Sequence, residues 1–151
     1  MVKLTVGQQA VVDQAIAILN NMIEDRGLPI SSPSTVRDYI RLKMERLERE
    51  VFAVLFLDSQ HRVIKYEEIF TGTLDGSLVE PREVIKRCLE LGSKSILIYH
   101  NHPSGCPRPS RADRFITKKI QNAANLFDIT VLDHIVVGAG EMVSFADLEW
   151  L

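Results

Sequence analysis

The run Val51-Phe52-Ala53-Val54-Leu55-Phe56-Leu57 constrains this chain more than any other feature. An unbroken apolar run with no polar alternation describes a strand covered on both faces. Such a strand needs a sheet with one packed layer above it and another below. A second run, Ser95-Ile96-Leu97-Ile98-Tyr99, has the same character. Asp58-Ser59-Gln60 then gives a turn, and residues 62–71 alternate enough, through Val63, Ile64, Tyr66, Ile69 and Phe70, to be an antiparallel partner of the first strand.

Helical spacing accounts for most of the remainder. After Thr5, which can cap, Val11, Ala15, Ile18, Leu19 and Met22 recur on one side until Arg26-Gly27 and Pro29 stop the run. Ser31-Ser32-Pro33-Ser34 supplies a turn and cap for a second helix, with Val36, Tyr39, Ile40, Met44 and Leu47 on one face and Arg41, Glu45 and Arg46 outside. Gly72, Asp75 and Gly76 break the chain; Pro81 opens a helix through Val84, Ile85, Cys88 and Leu89 that closes at Gly92. A helix from Ser110 to about Phe127, a strand from Ile129 to Val137 and a short last strand from Met142 to Phe145 complete the pattern. Strands interleaved with helices predict an α/β or α+β fold with a mixed sheet flanked by helices. Residues 1–47 are too few for a core of their own and read as a helical N-terminal extension of one domain over 48–151.

At 151 residues the chain is about one domain, and its formal charge of −2 announces no global attraction to nucleic acid or to a membrane. No apolar stretch approaches the ~18 residues needed to span a bilayer, and the start, MVKLTVGQQA, lacks the apolar core of a signal peptide. A cytoplasmic protein with no membrane partner is expected. Cys88 and Cys106, without a CxxC pair, are expected to be free thiols. Nothing in charge or pattern sets an oligomeric state.

Chemistry concentrates where the second buried strand ends. His100 follows Tyr99 directly and His102 stands two places on, so in extended chain both imidazoles face the same way. After a loop with three prolines, Ser110-Arg111-Ala112-Asp113 starts the next helix, and Asp113 can aim a carboxylate back at the same point. Two histidines and one aspartate give three ligands and an open fourth place, the pattern of a catalytic zinc. Each part has a plainer account. Ser110-x-x-Asp113 is also a good helix cap, and histidine pairs arise by chance. Their conjunction, in the order strand, His-x-His, turn-rich loop, Ser-x-x-Asp, helix, favours metal ligation.

The string His100-Asn101-His102-Pro103-Ser104-Gly105, followed by Ser110-x-x-Asp113, resembles the JAMM motif of MPN-type metalloproteases, and more narrowly the bacterial RadC family. The resemblance runs from about residue 48 to 151, through Val51–Asp58, Gly72-Thr73-Leu74, Pro81-Arg82-Glu83-Val84, Leu132–Gly138 and Ser144-Phe145-Ala146. It implies an MPN/JAMM-like (cytidine-deaminase-like) sandwich, a Zn2+ cofactor held by His100, His102 and Asp113, and a hydrolase acting on a protein or peptide substrate. It also implies a glutamate at the start of the first buried strand that activates water. Glu50 is the best match, with Glu48, Glu80 and Glu83 as rivals. Without the resemblance, Glu50 reads as the end of a charged helix face. Ser110 would donate to the oxyanion. Longer RadC proteins carry an upstream helix-hairpin-helix of the kind that binds DNA; the first 47 residues lack its glycine turns, so the short form is expected.

Asp133-His134 is a candidate pair orienting a ligand from behind, although a satisfied core histidine is the commoner account. His61 is expected to be exposed in a hairpin turn. A competing function is DNA binding or nuclease action, as the family's repair label suggests, supported by Arg108, Arg111, Arg114, Lys118 and Lys119 beside the loop. A third is a non-catalytic interaction module, against which the full ligand set argues. His100-Asn101-His102 does not read as an HNH nuclease, whose ligands come from separated elements, and the His-x-Glu and Pro-Cys-x-x-Cys pair of a zinc deaminase is absent.

Overall fold

A computed structural model describes residues 3–24, 33–72 and 79–151 of the chain. Its strands are β1 (Val51–Leu57), β2 (Val63–Thr71), β3 (Ser95–Asn101), β4 (Thr130–Val137) and β5 (Met142–Ser144). Its helices are α1 (Val6–Glu24), α2 (Pro33–Met44), α3 (Pro81–Leu91) and α4 (Arg111–Asn125). The strands form one mixed sheet in the order β2-β1-β3-β4-β5. β1 pairs antiparallel with both β2 and β3, β4 pairs antiparallel with β5, and β3 and β4 run parallel. A parallel pair needs a crossover, and α4 provides it. The architecture is the α+β fold that the two apolar runs predict.

β1 explains itself once the layers are seen. Phe52, Val54 and Phe56 enter a core with Val84, Ile85 and Cys88 of α3 and Ile116, Ile120 and Ala124 of α4. Val51, Ala53, Leu55 and Leu57 enter the opposite core, with Val36, Tyr39, Ile40 and Met44 of α2. Alternate residues serve different layers, so every position must be apolar. α3 starts at Pro81 and ends at Gly92, whose φ of 65° suits the left-handed closing turn. Among the described helices, none is long and apolar enough to cross a membrane.

Two expectations change. In α1, Val11 and Ile18 are 67% and 55% exposed and Met22 is exposed too, while Val12, Ala15, Ile16 and Leu19 are half-buried. The helix carries two adjoining apolar stripes, and only the one at 12, 15, 16 and 19 turns toward the body of the protein. Thr5 does cap it, its hydroxyl accepting from Gln8 N and its own N–H donating to the Gln8 side chain. Leu89, read as part of the α3 core face, is 55% exposed. The breaks expected at Arg26-Gly27, Pro29, Ser31-Ser32, Asp75 and Gly76 lie outside the described residues.

One buried amide ties the chain entering β1 to the end of β3. Asn101 Oδ1 accepts from Val51 N at 2.8 Å, and its Nδ2 donates to Arg49 O at 3.0 Å and Leu47 O at 3.4 Å. Residues 47–51 are thereby fixed by a side chain between the two histidines. Asn101→Ala strands the buried Val51 N–H and is expected to cost about 1–3 kcal/mol. The check is chemical denaturation: the midpoint should fall with an unchanged slope.

Candidate metal centre

The end of β3 and the first turn of α4 build the centre together. His100 lies on β3 opposite Phe52 of β1 and is fully buried, whereas His102, two residues on, is only partly covered. Asp113 enters from α4, buried. His100 Nε2 stands 3.2 Å from Asp113 Oδ1 and His102 Nε2 stands 3.4 Å from Asp113 Oδ2. The two Nε2 atoms are 2.9 Å apart. One ligand atom from each of the three residues lies within 4.8 Å of the others, so His100, His102 and Asp113 can hold a metal ion.

The donor set suits a cation. His102 Nδ1 faces the Cys106 carbonyl at 2.8 Å, which can only accept, so Nδ1 carries a proton and the neutral ring keeps its lone pair on Nε2. The Asp113 carboxylate adds two further acceptors. Burial by itself would raise the Asp113 carboxyl, but hydrogen bonding to His100 and His102 holds it far below the ordinary carboxylate range. Reciprocally, the hydrogen bond with Asp113 raises His102 against its partial burial. Both shifts express one demand, for positive charge among converging acceptors.

Ser110 and Asp113 combine a helix cap with the carboxylate that faces the histidines. Ser110 is the N-cap of α4: its Oγ accepts from Asp113 N at 3.1 Å, and its own N–H donates to Asp113 Oδ2 at 2.6 Å. The reciprocal box locks the carboxylate that reaches the histidines. The capping reading is therefore correct, and it is also what aims Asp113. With its oxygen engaged as acceptor, the Ser110 hydroxyl keeps its proton for an outside partner.

Glu50 belongs to no helix, because α2 ends at Met44. The β1–β3 ladder ends at the pair Phe52–His100, and Glu50 stands two residues before Phe52, just outside the strand. Glu50 is half-buried, and its charge helps raise His102. Glu48 is exposed, and Glu80 and Glu83 stand at the start of α3. His61 is exposed in the turn after β1 with φ 56°. The Cys106 side chain is free and exposed, and only its carbonyl serves the site; the free Cys88 is buried in the core, where burial pushes its thiol up to about 11.

The Asp133-His134 pair divides between two faces of the sheet. His134 is fully buried with Nε2 2.7 Å from His100 Nδ1 and Nδ1 2.5 Å from Thr117 Oγ1. Asp133 makes no contact with that ring. Its carboxylate accepts from His134 N, Ala146 N and the Ser144 hydroxyl, pinning the chain after β5. Neighbouring strand residues point to opposite faces, so Asp133 could not reach the ring that its neighbour carries. Phe145 stacks on His134 at a centroid distance of 4.6 Å, and Phe52 meets its edge at 5.8 Å, walling the inner side with apolar rings.

Three further residues matter here that sequence reasoning passed over. Asn101 anchors the segment carrying Glu50, and Thr117 contacts His134 from α4, one turn beyond Asp113. Gly138 lets the histidine loop dock: a Cβ there would meet Gly105 O at 2.5 Å and Pro107 N at 2.8 Å. The loop is held against that glycine by His102 N to Val137 O and Ala139 N to Gly105 O. The spacing of Ser110, Asp113 and Thr117 at i, i+3 and i+7 was the available signal for Thr117, since it sets all three on one helix face.

A family model described as a RadC-like JAB domain matches residues 30–150. The chain belongs to the RadC family. It is 55% identical over 122 residues to a protein of Cellvibrio japonicus, covering 81% of this chain and 54% of that one. With a Leptothrix cholodnii protein the figures are 50% over 139 residues, 92% and 62%. With one from Aeromonas hydrophila they are 48% over 143 residues, 95% and 63%. All three are named UPF0758 protein, and this RadC chain spans little more than half to under two thirds of their length.

Purified from metal-replete medium, the RadC-family chain is expected to carry about one metal ion per molecule, with His100→Ala and Asp113→Ala both metal-free after the same dialysis. Elemental analysis of the three proteins checks this.

Proposed function

We propose that this protein is a zinc-dependent hydrolase of the JAMM type, a metallopeptidase that cleaves a peptide or isopeptide-like amide. The observation that carries the reading is convergence: one atom from each of His100, His102 and Asp113, at the end of β3 and the first turn of α4, meets the others within 4.8 Å, with the Glu50 carboxylate near enough for its charge to act on His102. Three protein ligands leave a coordination place open, and imidazole nitrogen with carboxylate oxygen suits zinc.

Zinc bound there would supply a Lewis acid, polarising a carbonyl and bringing the pKa of a water toward ~7. The chain's own groups do the rest. The Glu50 carboxylate takes the proton of the attacking water and later delivers it to the leaving amine nitrogen. The Ser110 hydroxyl donates to the carbonyl oxygen as negative charge builds on it. Asp113, locked by the cap, keeps the ligand set rigid through the reaction, and Phe52 and Phe145 keep water from the histidines' inner side.

A second reading, a nucleic-acid-directed hydrolase, rests on the outer face of α4. Arg111, Arg114, Lys118 and Lys119 are exposed there, while the helix's one carboxylate, Asp113, is buried. Such a face can neutralise phosphates. One comparison decides between the readings: wild type and Glu50→Gln are screened side by side on peptide, isopeptide and single-stranded DNA substrates. The expected result is amide cleavage by the wild type only, with equal zinc in both proteins. Loss of zinc from Glu50→Gln would make Glu50 a ligand instead, and cleavage of DNA alone would establish the second reading.

Ser110→Ala separates its two roles. Loss of the cap should cost about 0.5–2 kcal/mol, whereas loss of an oxyanion donor should lower turnover on the order of 100-fold. The expected variant folds, binds zinc, melts lower and turns over far more slowly. Undiminished turnover well below its melting temperature would leave only the cap.

A further inference from the structure

Behind His100 lies a buried chain of polar atoms that the proposed reaction does not use. Asp113 O stands 2.6 Å from Thr117 Oγ1, Thr117 Oγ1 stands 2.5 Å from His134 Nδ1, and His134 Nε2 stands 2.7 Å from His100 Nδ1. Each gap is short enough to require a proton within it. The Asp113 carbonyl can only accept, so the single Thr117 hydroxyl proton goes to that oxygen. Thr117 Oγ1 must then accept, which puts the His134 proton on Nδ1 and a lone pair on Nε2. That lone pair in turn takes a proton from His100 Nδ1. Running the chain in the other direction would spend the Thr117 proton on His134 and leave two oxygens 2.6 Å apart with nothing between them. A doubly protonated His134 would fill the gaps too, but the ring is fully buried between a threonine hydroxyl and a second imidazole, where a charge is costly.

We infer that Thr117 and His134 set the tautomer of His100, fixing its proton on Nδ1 so that its Nε2 lone pair faces His102 and Asp113. Both are positioning residues. Neither touches the reacting atoms, and they act only through His100. The inference deepens the proposed function and rests on the reading of His100 as a ligand. α4 then serves the centre twice: Asp113 gives a carboxylate, and Thr117, one turn on, orients the imidazole delivered by β3. His102 reaches the same tautomer by a shorter route, through Cys106 O. Both rings thus present Nε2, and four acceptor atoms converge where a cation would sit. Outer hydrogen bonds of this kind hold a ligand ring in place and raise its basicity.

The test is made on the whole chain with Thr117→Val, which keeps the shape and removes the hydroxyl, and Thr117→Ser, which restores it. Ring-nitrogen NMR of the metal-free wild type reads the tautomer of His100 directly, and competition with a chelator reads Zn2+ affinity, neither needing a substrate. The expected result is His100 protonated at Nδ1 in the wild type and in Thr117→Ser. Thr117→Val should show mixed tautomers and about 10- to 100-fold weaker Zn2+ binding, with Thr117→Ser close to wild type. His100 protonated at Nε2 in the wild type, or Thr117→Val matching the wild type in both readouts, overturns the inference. If the wild type binds no Zn2+ while His100 still carries its proton on Nδ1, the ligand reading fails and the tautomer assignment stands.

Discussion

The antiparallel pairing of β1 with β3 is the constraint on which the rest of the molecule depends, because each strand is packed on both faces and neither can slip. A shift of one residue would exchange the two cores, sending Phe52, Val54 and Phe56 to the layer built for Val51, Ala53, Leu55 and Leu57. That same register holds Phe52 against His100 and leaves Glu50 two residues before that pair, near enough for its charge to act on His102. Asn101 secures the last step by hydrogen-bonding the chain at the start of β1, beyond the last β1–β3 pair. Core packing, far larger in energy than any single polar contact, is thus what sets the spacing between carboxylate and imidazoles.

The second dependency is electrostatic. Asp113 is drawn into a buried place where its charge would be costly; the Ser110 N–H compensates one oxygen, and both histidines stand within 3.4 Å of the carboxylate. The reciprocal box with Ser110 makes the first turn of α4 both a helix start and the mount of the carboxylate that faces the two histidines. Separate structural and functional accounts of Ser110-x-x-Asp113 are therefore not rivals: the cap is the means by which the carboxylate is aimed. Sequence reasoning set them against one another because spacing alone does not say where the second carboxylate oxygen goes.

Much was legible in the chain itself, and for identifiable reasons. The two apolar runs require a sheet between two layers, since no solvent-facing strand could tolerate them. His-x-His at the end of one run, followed by Ser-x-x-Asp at the start of a helix, puts ligands of suitable chemistry at a strand end and a helix start, which a short loop must bring near one another. These are local rules, period two in a strand and a fixed offset at a helix start, and local rules can be read from letters.

What only the tertiary structure decided is whatever depends on which face turns inward and on contacts between distant segments. α1 carries two apolar stripes of similar quality, and nothing within the helix says that Val12, Ile16 and Leu19 turn inward while Val11, Ile18 and Met22 stay exposed. Asp133 and His134 read as a pair in the sequence yet serve opposite sides of the sheet, and the partner of the His134 ring proved to be Thr117, 17 residues away. Glu50 gained its place from the start of β1, held by Gly72 N on its carbonyl, and Asn101 its purpose from a segment about 50 residues earlier. The sequence determines the elements and the kinds of atom available at their ends, because those follow from neighbours along the chain. The partners across the core follow from packing, where position in space and not in sequence decides which buried donor finds which acceptor.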